Sequence, residues 1–538
     1  MRNMRSLWFV FAVGAAVAGT LYACGGSNSN SANSAPAPVT ADVLTWHNDI
    51  ARTGQNLAES VLTPSSVSSG RFGLQGLWSV DGRVDAQPLY VASAQMADGQ
   101  AHNVLVVATE HASVYAFDAD TGATLWNVSL LGAGETPSDD RGCSQVSPEI
   151  GVTSTPVIDR SLDGGVIIAV AMSKNGSQYF QRLHAIRLQT GAERAGSPVV
   201  VQAVYPGNGV DSVAGFATFD PKQYKERAGL LLIQGVVITT WASHCDNLPY
   251  TGWIIGYDEA TLAQRSVLNI TPNGSGGSNW ASGAAPASDA SAIYYLTANG
   301  TFDTTLNASG LPISGDYGNA FLKIGLTGGL SVLDYFTMTD TVAESNADED
   351  LGSGGVVVLP DQHDAMGKVR HLALGAGKDS NIYVVDRDAM GGFSTLANNN
   401  WQTLAQPQAG GYFSTAAFFN GTVYFGGVSD AVRAFALTNA QLSATPTSQT
   451  ATVFVYPGAT PSISANGTSG AILWAVENSS PAVLHAYDAT NLANEFYNSN
   501  HAGTRDQFGP GNKFIVPTVV AGKVFVGTPS AVAVFALH

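Results

Sequence analysis

The feature that most constrains this sequence is a short motif that occurs eight times. The clearest copy is VYAFDADTGATLW at 114–126, where a β-forming run is followed by Asp, a Thr-Gly turn and a second run that ends in Trp. Repeats about 50–70 residues apart are typical of architectures in which one unit cannot bury its apolar face alone. The further copies begin in register at 183–191, 254–262, 321–329, 382–390, 432–440, 484–492 and 532–537.

The segments between the copies favour strands over helices. They show no sustained period of 3.6, and their short β-rich runs are bounded by Gly, Pro, Asn and Asp. Each unit is therefore predicted to form about four antiparallel strands, and eight such sheets around one axis make an all-β, eight-bladed β-propeller. Two packed β-sandwiches are the alternative. Several units open with a Pro-containing strand, at 86–91, 154–159, 459–464 and 516–520.

The two ends of the chain are predicted to share one blade. The last copy ends at His538, directly after its third strand, and a blade that lacks a strand would expose a sheet edge. LWSV at 77–80 has the same form as LWNV at 125–128, the fourth strand of the first copy. We therefore expect residues 74–80 to complete the eighth blade.

The first residues predict an export signal. Arg2 and Arg5 precede an apolar stretch at 7–23 that is short for a membrane span. It ends in LYAC at 21–24, which resembles the lipobox of bacterial lipoproteins and implies cleavage before Cys24 and lipid on that cysteine. The next residue is Gly rather than Asp, which by the same analogy implies the outer membrane. A plain secretory signal with a chance cysteine is the alternative.

The remaining chain divides into a tether and a folded part. Residues 24–41 are the lipidated cysteine and a flexible segment rich in Ser, Asn, Ala and Pro, which cannot form a packed core. Residues 42–538 are predicted to be a single propeller domain. The formal net charge of −17 argues against nucleic acid and anionic lipid surfaces as partners.

Cys143 and Cys245 are the cysteines that follow the predicted lipid site. Outside the cytoplasm two thiols tend to pair, so we expect a disulfide, with two separate buried thiols as the alternative. The sequence contains no CxxC and no CxxCH. A covalent haem site and a cysteine-based zinc site are therefore excluded.

Two stretches carry a family resemblance that covers essentially residues 42–538. AFDADTGATLW at 116–126 resembles the tryptophan-docking motif of the quinoprotein dehydrogenase propellers, and TWHNDIARTGQN at 45–56 is similar to the N-terminal segment of many propellers with this repeat. Non-catalytic outer-membrane assembly lipoproteins of the BamB type use the same repeat. The resemblance therefore implies the fold and does not by itself imply an enzyme.

In the dehydrogenases, pyrroloquinoline quinone (PQQ) lies in the central funnel on a Trp, with Ca²⁺ at its edge. Segment 279–303 resembles the blade that supplies the floor Trp and an Asn ligand, which places Trp280 against the quinone and Asn299 on the metal. Calcium prefers several carboxylate and amide oxygens, and it polarises the quinone carbonyl as a Lewis acid.

Two further segments match in chain order. ADEDLGSGG at 347–355 lies where the family keeps its catalytic Asp, so the resemblance assigns Asp350 as base and metal ligand, with Asp348 as the alternative. Segment 374–391 resembles the part whose Lys or Arg contacts the quinone oxygens, and Lys378 occupies that place.

The resemblance also has gaps. The Glu ligand of the family falls near Asn175 and Gly176, where no carboxylate is present, and Glu149 in the preceding loop is the candidate substitute. The adjacent cysteine pair that covers the quinone in the family is missing, and a Cys143–Cys245 disulfide is the candidate stand-in. Loss of the Glu should weaken a calcium site.

Other motifs contribute less. His111, His244 and Asp246 are expected on loop tips, where they could line a site, although exposed or internally bonded histidines are commoner. GAGK at 375–378 lacks the first Gly and the Ser/Thr of a P-loop, and neither HExxH nor GxSxG occurs.

These observations leave three functions open. The first is a PQQ- and Ca²⁺-dependent oxidoreductase of alcohols or sugars, with an external electron acceptor because no haem site is present. The second is a non-catalytic binding or scaffolding propeller that has lost the cofactor and contacts an envelope protein. The third is a propeller that binds or cleaves polysaccharide, with a glycan in the funnel.

Overall fold

The computed structural model describes residues 41–538. About 43% of the chain is strand and 3% helix, so the all-β prediction is confirmed. The export signal, Cys24 and most of the tether lie outside the described residues. Within the described part there are eight sheets, each of which contains four antiparallel core strands. We number the sheets 1–8 by the order of their third strands along the chain.

The core strands of the first four sheets follow one another along the chain. Sheet 1 contains Leu89–Gln95, Ala101–Ala108, Ser113–Asp118 and Thr124–Ser129. Sheet 2 contains Val157–Asp159, Val166–Asn175, Gln178–Arg187 and Val199–Val200. Sheet 3 contains Leu231–Ile233, Val236–Ser243, Trp253–Asp258 and Gln264–Asn269. Sheet 4 contains Ala287–Ser288, Ile293–Leu296, Phe321–Gly325 and Ser331–Phe336.

The last of the remaining four sheets takes a strand from the N-terminal part of the chain. Sheet 5 contains Val357–Val358, Leu372–Ala376, Ile382–Asp386 and Gln402–Leu404. Sheet 6 contains Ala417–Phe419, Thr422–Gly426, Asp430–Thr438 and Ser448–Phe454. Sheet 7 contains Ser462–Asn466, Ser469–Glu477, Val483–Asp488 and Glu495–Asn498. Sheet 8 contains Thr518–Val520, Lys523–Gly527, Ala531–Leu537 and Phe72–Ser79.

Short elements add to these cores. Extra strands join sheets 2, 3, 6 and 7 at Thr136–Asp139, Glu149–Ile150, Tyr224–Glu226, Gln441–Leu442 and Gln55–Asn56. Two small sheets lie apart, at Val204–Pro206, Ser212–Val213 and Phe216–Thr218, and at Gln362–His363 and Val369–Arg370. The helices are Pro64–Val67, Thr341–Ala347, Ala281–Gly283 and Leu351–Ser353. Within the described chain, none of them has the length and apolar character needed to cross a membrane.

Every copy of the repeated motif lies in the third core strand of a sheet and the turn after it. The Asp of the motif closes that turn, since Asp118 Oδ1 accepts from the Thr121 amide at 2.7 Å. The Trp of the motif reaches the next sheet: Trp126 Nε1 donates to the Leu188 carbonyl at 2.8 Å. Trp401 of sheet 5 reaches the Ala440 carbonyl of sheet 6 in the same way. The repeat therefore specifies both a strand and its docking to a neighbour.

Clusters of buried apolar side chains join each sheet to the next. One cluster contains side chains from sheets 8, 1 and 2, and six others join sheets 2 and 3, 3 and 4, 4 and 5, 5 and 6, 6 and 7, and 7 and 8. The expected strand at 74–80 is present as Phe72–Ser79, and it pairs antiparallel with Ala531–Leu537. Trp78 in this strand packs on Phe117 of sheet 1, with ring centroids 5.5 Å apart.

The N-terminal segment, defined here as residues 43–56, contacts the edge of every sheet core. Its backbone hydrogen-bonds to Tyr90, Ile158, Ser288, Val358, Phe418 and Ile463, which lie in the first strands of sheets 1, 2, 4, 5, 6 and 7. Arg52 Nη2 donates to the Leu230 carbonyl beside sheet 3, and Asn56 Nδ2 to the Val519 carbonyl of sheet 8. The segment therefore contacts the first strands of seven sheets and the residue that precedes the first strand of sheet 3.

Candidate functional site

Five side chains singled out from the sequence form one connected chain of contacts. Trp280 Nε1 donates to Asp350 Oδ1 at 3.1 Å. Lys378 Nζ lies 2.6 Å from Asp350 Oδ2 and 2.8 Å from Asp348 Oδ1. Asn299 Nδ2 donates to the same Asp348 oxygen at 2.8 Å. The structure thus brings together residues from three separate segments of the chain.

Local backbone features hold the two charged partners in place. Asp350 precedes the helical turn Leu351–Ser353, whose first amide donates to Asn319 Oδ1 at 2.6 Å. Lys378 follows the second strand of sheet 5, and its amide donates to the Asp350 carbonyl at 3.1 Å. A Cβ at Gly377 would lie 2.5 Å from the Leu351 Cα. The glycine of the GAGK stretch therefore allows the close approach that pairs Lys378 with Asp350.

Trp280, Asp348 and Lys378 line a cavity of about 340 Å³, within the usual range for small-molecule sites. Its charged side chains are four cations and two carboxylates, although acidic residues outnumber basic ones by 41 to 24 in the whole chain. These charged side chains are Lys225, Arg227, Lys378, Lys513, Asp246 and Asp348. The cavity therefore favours an anionic ligand.

An aromatic cluster forms another part of the cavity wall. The Trp280 ring meets Phe413 and Phe514 edge to face, with centroids 5.8 and 6.2 Å apart. Tyr456 packs against the same two Phe rings at 5.4 and 6.2 Å. Aromatic faces beside cations suit a flat, conjugated anion.

Burial and ion pairing compete at Asp350. The residue is 2% exposed, and burial raises the pKa of its carboxyl to about 6, although the adjacent Lys378 ammonium lowers it. Burial also acts to lower the pKa of Lys378, but the carboxylates of Asp350 and Asp348 outweigh it and raise that pKa. Asp350 therefore titrates close to neutral pH while Lys378 stays charged.

The other cavity cations lack carboxylate partners among the described residues. Lys225 Nζ donates to the Ser243 carbonyl at 2.8 Å and to Gln145 Oε1 at 3.2 Å. Burial lowers the pKa of Lys225 to about 7, and the nearby Arg227 charge adds to this effect. Arg227 is 5% exposed, and within the described chain its guanidinium contacts the Phe514 ring but makes no hydrogen bond or ion pair.

The other predicted residues take no part in this chain of contacts, although Asp246 lines the same cavity. Glu149 Oε1 accepts from His111 Nδ1 at 2.9 Å, and neither side chain lines the cavity. His244 is buried beside it, where burial and the Lys225 charge lower the pKa of its imidazole to about 3. Asp246 does line the cavity, and its Oδ1 accepts from the Tyr250 hydroxyl at 2.9 Å.

The predicted metal ligands do not form a metal centre. Among residues 41–538, no group of three or more His, Cys, Asp or Glu side chains is placed to hold an ion. Asp348 and Asp350 are both paired with Lys378, and Glu149 is paired with His111. The residues present therefore do not fit the Ca²⁺ that the family resemblance implies.

Cys143 and Cys245 form a disulfide across the rim of the cavity. The bond joins the loop between the extra strands Thr136–Asp139 and Glu149–Ile150 of sheet 2 to the loop after Val236–Ser243. Gln145, Val146 and Asp246, one to three residues from the bonded cysteines, line the cavity. The disulfide therefore fixes two wall segments that come from different sheets.

Sequence reasoning missed Lys225, Arg227 and Lys513 and most of the aromatic wall. The sequence YKER at 224–227 could have indicated the two cations. Side chains alternate between the faces of a strand, which puts Lys225 and Arg227 on one face and Glu226 on the other. The cavity follows that pattern, since it is lined by the two cations and not by Glu226.

Comparisons with known proteins give the fold of this chain. No family model matches the sequence, and no curated protein does. Among solved structures, quinohemoprotein alcohol dehydrogenase from Comamonas testosteroni matches with a TM-score of 0.61 and 16% identity, over 94% of this chain and 81% of that one. A europium-containing methanol dehydrogenase matches with a TM-score of 0.59 and 12% identity, over 92% and 98%.

A quinohemoprotein alcohol dehydrogenase from Pseudomonas putida HK5 matches with a TM-score of 0.57 and 13% identity, over 92% of this chain and 80% of that chain. At such identities the likeness shows the fold alone, which is the β-propeller fold that these dehydrogenases share. The activity must be argued from the cavity.

Proposed function

We propose that this β-propeller is an exported, outer-membrane lipoprotein whose cavity binds a planar quinone of the PQQ class and which oxidises an alcohol or a sugar. The observation that carries the proposal is the contact chain from Trp280 through Asp350 to Lys378 in the wall of a cationic, aromatic cavity. The lipid anchor at Cys24 rests on the sequence pattern at 21–24.

We further propose that sheets 1–8 are the blades of one closed ring over residues 42–538. The apolar clusters that link each sheet to the next, and sheet 8 to sheet 1, support this arrangement. The pairing of Phe72–Ser79 with Ala531–Leu537 supplies the predicted fourth strand of the last blade. The N-terminal segment, bonded to all eight sheets, would then lie on the ring axis.

The chemistry of the cavity fits PQQ, a flat conjugated quinone that carries several carboxylates. Trp280 and Phe514 offer aromatic surface, and Lys225, Arg227 and Lys513 offer charge that no described carboxylate pairs. When bound, PQQ would supply a quinone that accepts the two electrons of the oxidation together with the hydrogen of the substrate C–H bond, and the electrons would then pass to an external acceptor.

In this proposal the residues of the chain bind and orient the quinone, and they take up a proton from the substrate. Lys378 would orient the quinone oxygens, and the Asp350 carboxylate would take up the proton of the substrate hydroxyl. A base with a pKa near 6 is well matched to that role near neutral pH. Asp350 does not itself line the cavity, so the proton would reach it by relay. The Lys378 ammonium, 2.6 Å from Asp350 Oδ2, would pass one of its protons to Asp350 and take up that of the substrate hydroxyl. No step involves a metal.

A non-catalytic binding propeller is the second candidate. It is favoured by the absence of a metal-holding cluster among the described residues and by the burial of Asp350 behind its two partners. Such a protein would bind the same planar anion and carry out no oxidation.

The test is PQQ binding and dye-linked oxidation by the purified full chain in detergent, over a panel of alcohols and sugars. Since Asp350 must be ionised to accept a proton, we expect turnover to rise with pH through an apparent pKa of about 6. Asp350→Asn should keep PQQ binding and lose about 10²-fold or more in turnover. The exposed Asp361→Asn is the matched control and should leave the rate unchanged.

The outcomes separate the candidates. Binding with no turnover on any substrate would favour the non-catalytic propeller. Absence of PQQ binding at any concentration would show the proposed function to be wrong.

A further inference from the structure

We infer that Arg227 and Lys225 hold the carboxylates of the cavity ligand directly, so that binding needs no divalent cation. The inference rests on the proposed function in one respect, namely that the ligand is a planar aromatic polycarboxylate. It assigns the binding of the ligand's negative charge to these two residues, whereas the family resemblance implies a Ca²⁺ at the edge of the quinone.

The strongest observation is the unpaired guanidinium of Arg227. The side chain is nine-tenths or more buried, faces the cavity and makes no hydrogen bond or ion pair with the described residues. A buried charge without a partner is costly and needs an explanation, and a bound anion that pairs with it supplies one. A guanidinium binds a carboxylate through two parallel hydrogen bonds.

The backbone opposite Arg227 leaves room for the guanidinium. A Cβ at Gly283 would lie 2.6 Å from Arg227 Nη1. Any larger residue at 283 would push the guanidinium from its place beside Phe514. The Phe514 ring centroid lies 5.2 Å from Arg227 Cζ. Lys513 Nζ lies 6.0 Å from the same ring, so two cations without acidic partners flank one aromatic side chain.

Lys225 adds a second donor on the same strand face. Its ammonium donates to one carbonyl and one amide oxygen, and neither partner carries charge. With a pKa lowered to about 7, Lys225 is partly neutral near neutral pH, and an adjacent carboxylate would favour its charged form. Binding of a carboxylate should therefore take up protons.

A divalent cation has no comparable place in the cavity. Its wall carries four cations against two carboxylates, and Asp348 and the adjacent Asp350 are already paired with Lys378. A calcium ion would meet net repulsion and would lack the cluster of oxygen ligands that it needs. The same surplus of positive charge attracts a polycarboxylate.

The test is calorimetric titration of the full chain in detergent with PQQ, once with excess Ca²⁺ and once with excess EDTA. We expect the same Kd in both. Arg227→Met should weaken binding about 10- to 100-fold, and Lys225→Met about 10-fold, as expected for buried bonds between charged groups. Titrations near neutral pH in buffers of different ionisation enthalpy should show proton uptake that Lys225→Met abolishes.

Arg71→Met and Lys368→Met are matched controls, since both side chains are exposed and neither lines the cavity. Arg227→Lys keeps the positive charge and should bind PQQ more tightly than Arg227→Met. This second variant still tests the role of the charge if Arg227→Met fails to fold. Equal binding by wild type and Arg227→Met would overturn the inference.

Two further outcomes keep the inference separate from the proposed function. Binding of PQQ with Ca²⁺ that is lost in EDTA would overturn the inference and leave the function standing. If PQQ fails to bind but trimesate, an aromatic tricarboxylate without a quinone, binds in EDTA and depends on Arg227, the inference stands and the function is wrong. If neither ligand binds, both are wrong.

Discussion

Two buried arginines in different parts of the molecule have opposite surroundings. Arg52 in the N-terminal segment is 0% exposed, and its guanidinium donates to the carbonyls of Pro286 and Trp46 and to the Thr45 hydroxyl at 2.7–2.9 Å. Arg227 in the cavity is 5% exposed and has no such partner among the described residues. Burial alone therefore does not distinguish an arginine that stabilises the fold from one that is open to a ligand. The number of hydrogen-bond and ion-pair partners of the guanidinium makes that distinction.

The difference extends to electrostatics. The partners of Arg52 are mostly neutral oxygens, and burial lowers the pKa of its guanidinium to about 9, although Asp49 opposes this shift. The hydrogen bonds satisfy its donors and hold the N-terminal segment against sheets 3 and 4. In the cavity the donors of Arg227 have no partner among the described residues, and we propose that a ligand supplies one. We call the N-terminal segment the saturated region, because the donors of its buried arginine have partners. We call the cavity the open region, because the donors of Arg227 have none among the described residues.

The largest effect should follow from Arg52→Met. The change removes several hydrogen bonds and leaves buried carbonyls unsatisfied, so we expect the free energy of unfolding to fall by about 3–5 kcal/mol. Urea denaturation of the full chain measures it, with the exposed Arg71→Met as a control that should stay within about 0.5 kcal/mol of wild type. A loss below about 1 kcal/mol would mean that Arg52 does not anchor the segment.

A smaller effect is expected when the disulfide at the cavity rim is removed. Cys143 and Cys245 are 102 residues apart, so the cross-link restricts a long stretch of the unfolded chain. The Cys143→Ser/Cys245→Ser double variant should lose about 2–4 kcal/mol of stability. Its affinity for PQQ should also fall, because the bonded loops carry Gln145 and Asp246.

Reducing agent provides the control for the disulfide. It should lower the unfolding midpoint of wild type and leave that of the double variant unchanged. If wild type and variant unfold at the same denaturant concentration, the cross-link does not stabilise the open region.

Local pattern accounts for much of what the sequence predicted. The motif at 114–126 and its copies fall on the third strands because a strand, a turn and a docking Trp are encoded within about a dozen residues. The strand at 72–79 was also predictable, since Trp78 repeats the form of Trp126. The contacts of Arg52 with the Pro286 and Leu230 carbonyls were not, because those residues lie more than 170 positions away in sequence.

In the cavity, too, some contacts were predictable from the sequence and others were not. The family resemblance placed Trp280, Asp350 and Lys378 in one site, and the structure brings them into contact. It gave Asp350 and Lys378 separate roles, whereas their ion pair couples them. Arg227 escaped notice because its significance lies in a lack of partners, and a sequence does not show which partners a side chain lacks.

The smallest change in stability should follow from Arg227→Met in the ligand-free protein. The variant loses a cation–π contact with Phe514 worth about 0.5–1 kcal/mol, but it also removes the cost of burying an unpaired charge. We expect the free energy of unfolding to stay within about 1 kcal/mol of wild type, on either side.

Ligand should then separate the two proteins. PQQ at a hundredfold excess over its Kd should stabilise wild type by about 2.7 kcal/mol, and the variant by much less. If ligand-free Arg227→Met is destabilised as much as Arg52→Met, Arg227 is a structural residue, and the contrast between a saturated and an open region fails. If the two proteins differ only when ligand is present, the positive charge of the cavity serves binding and not the fold.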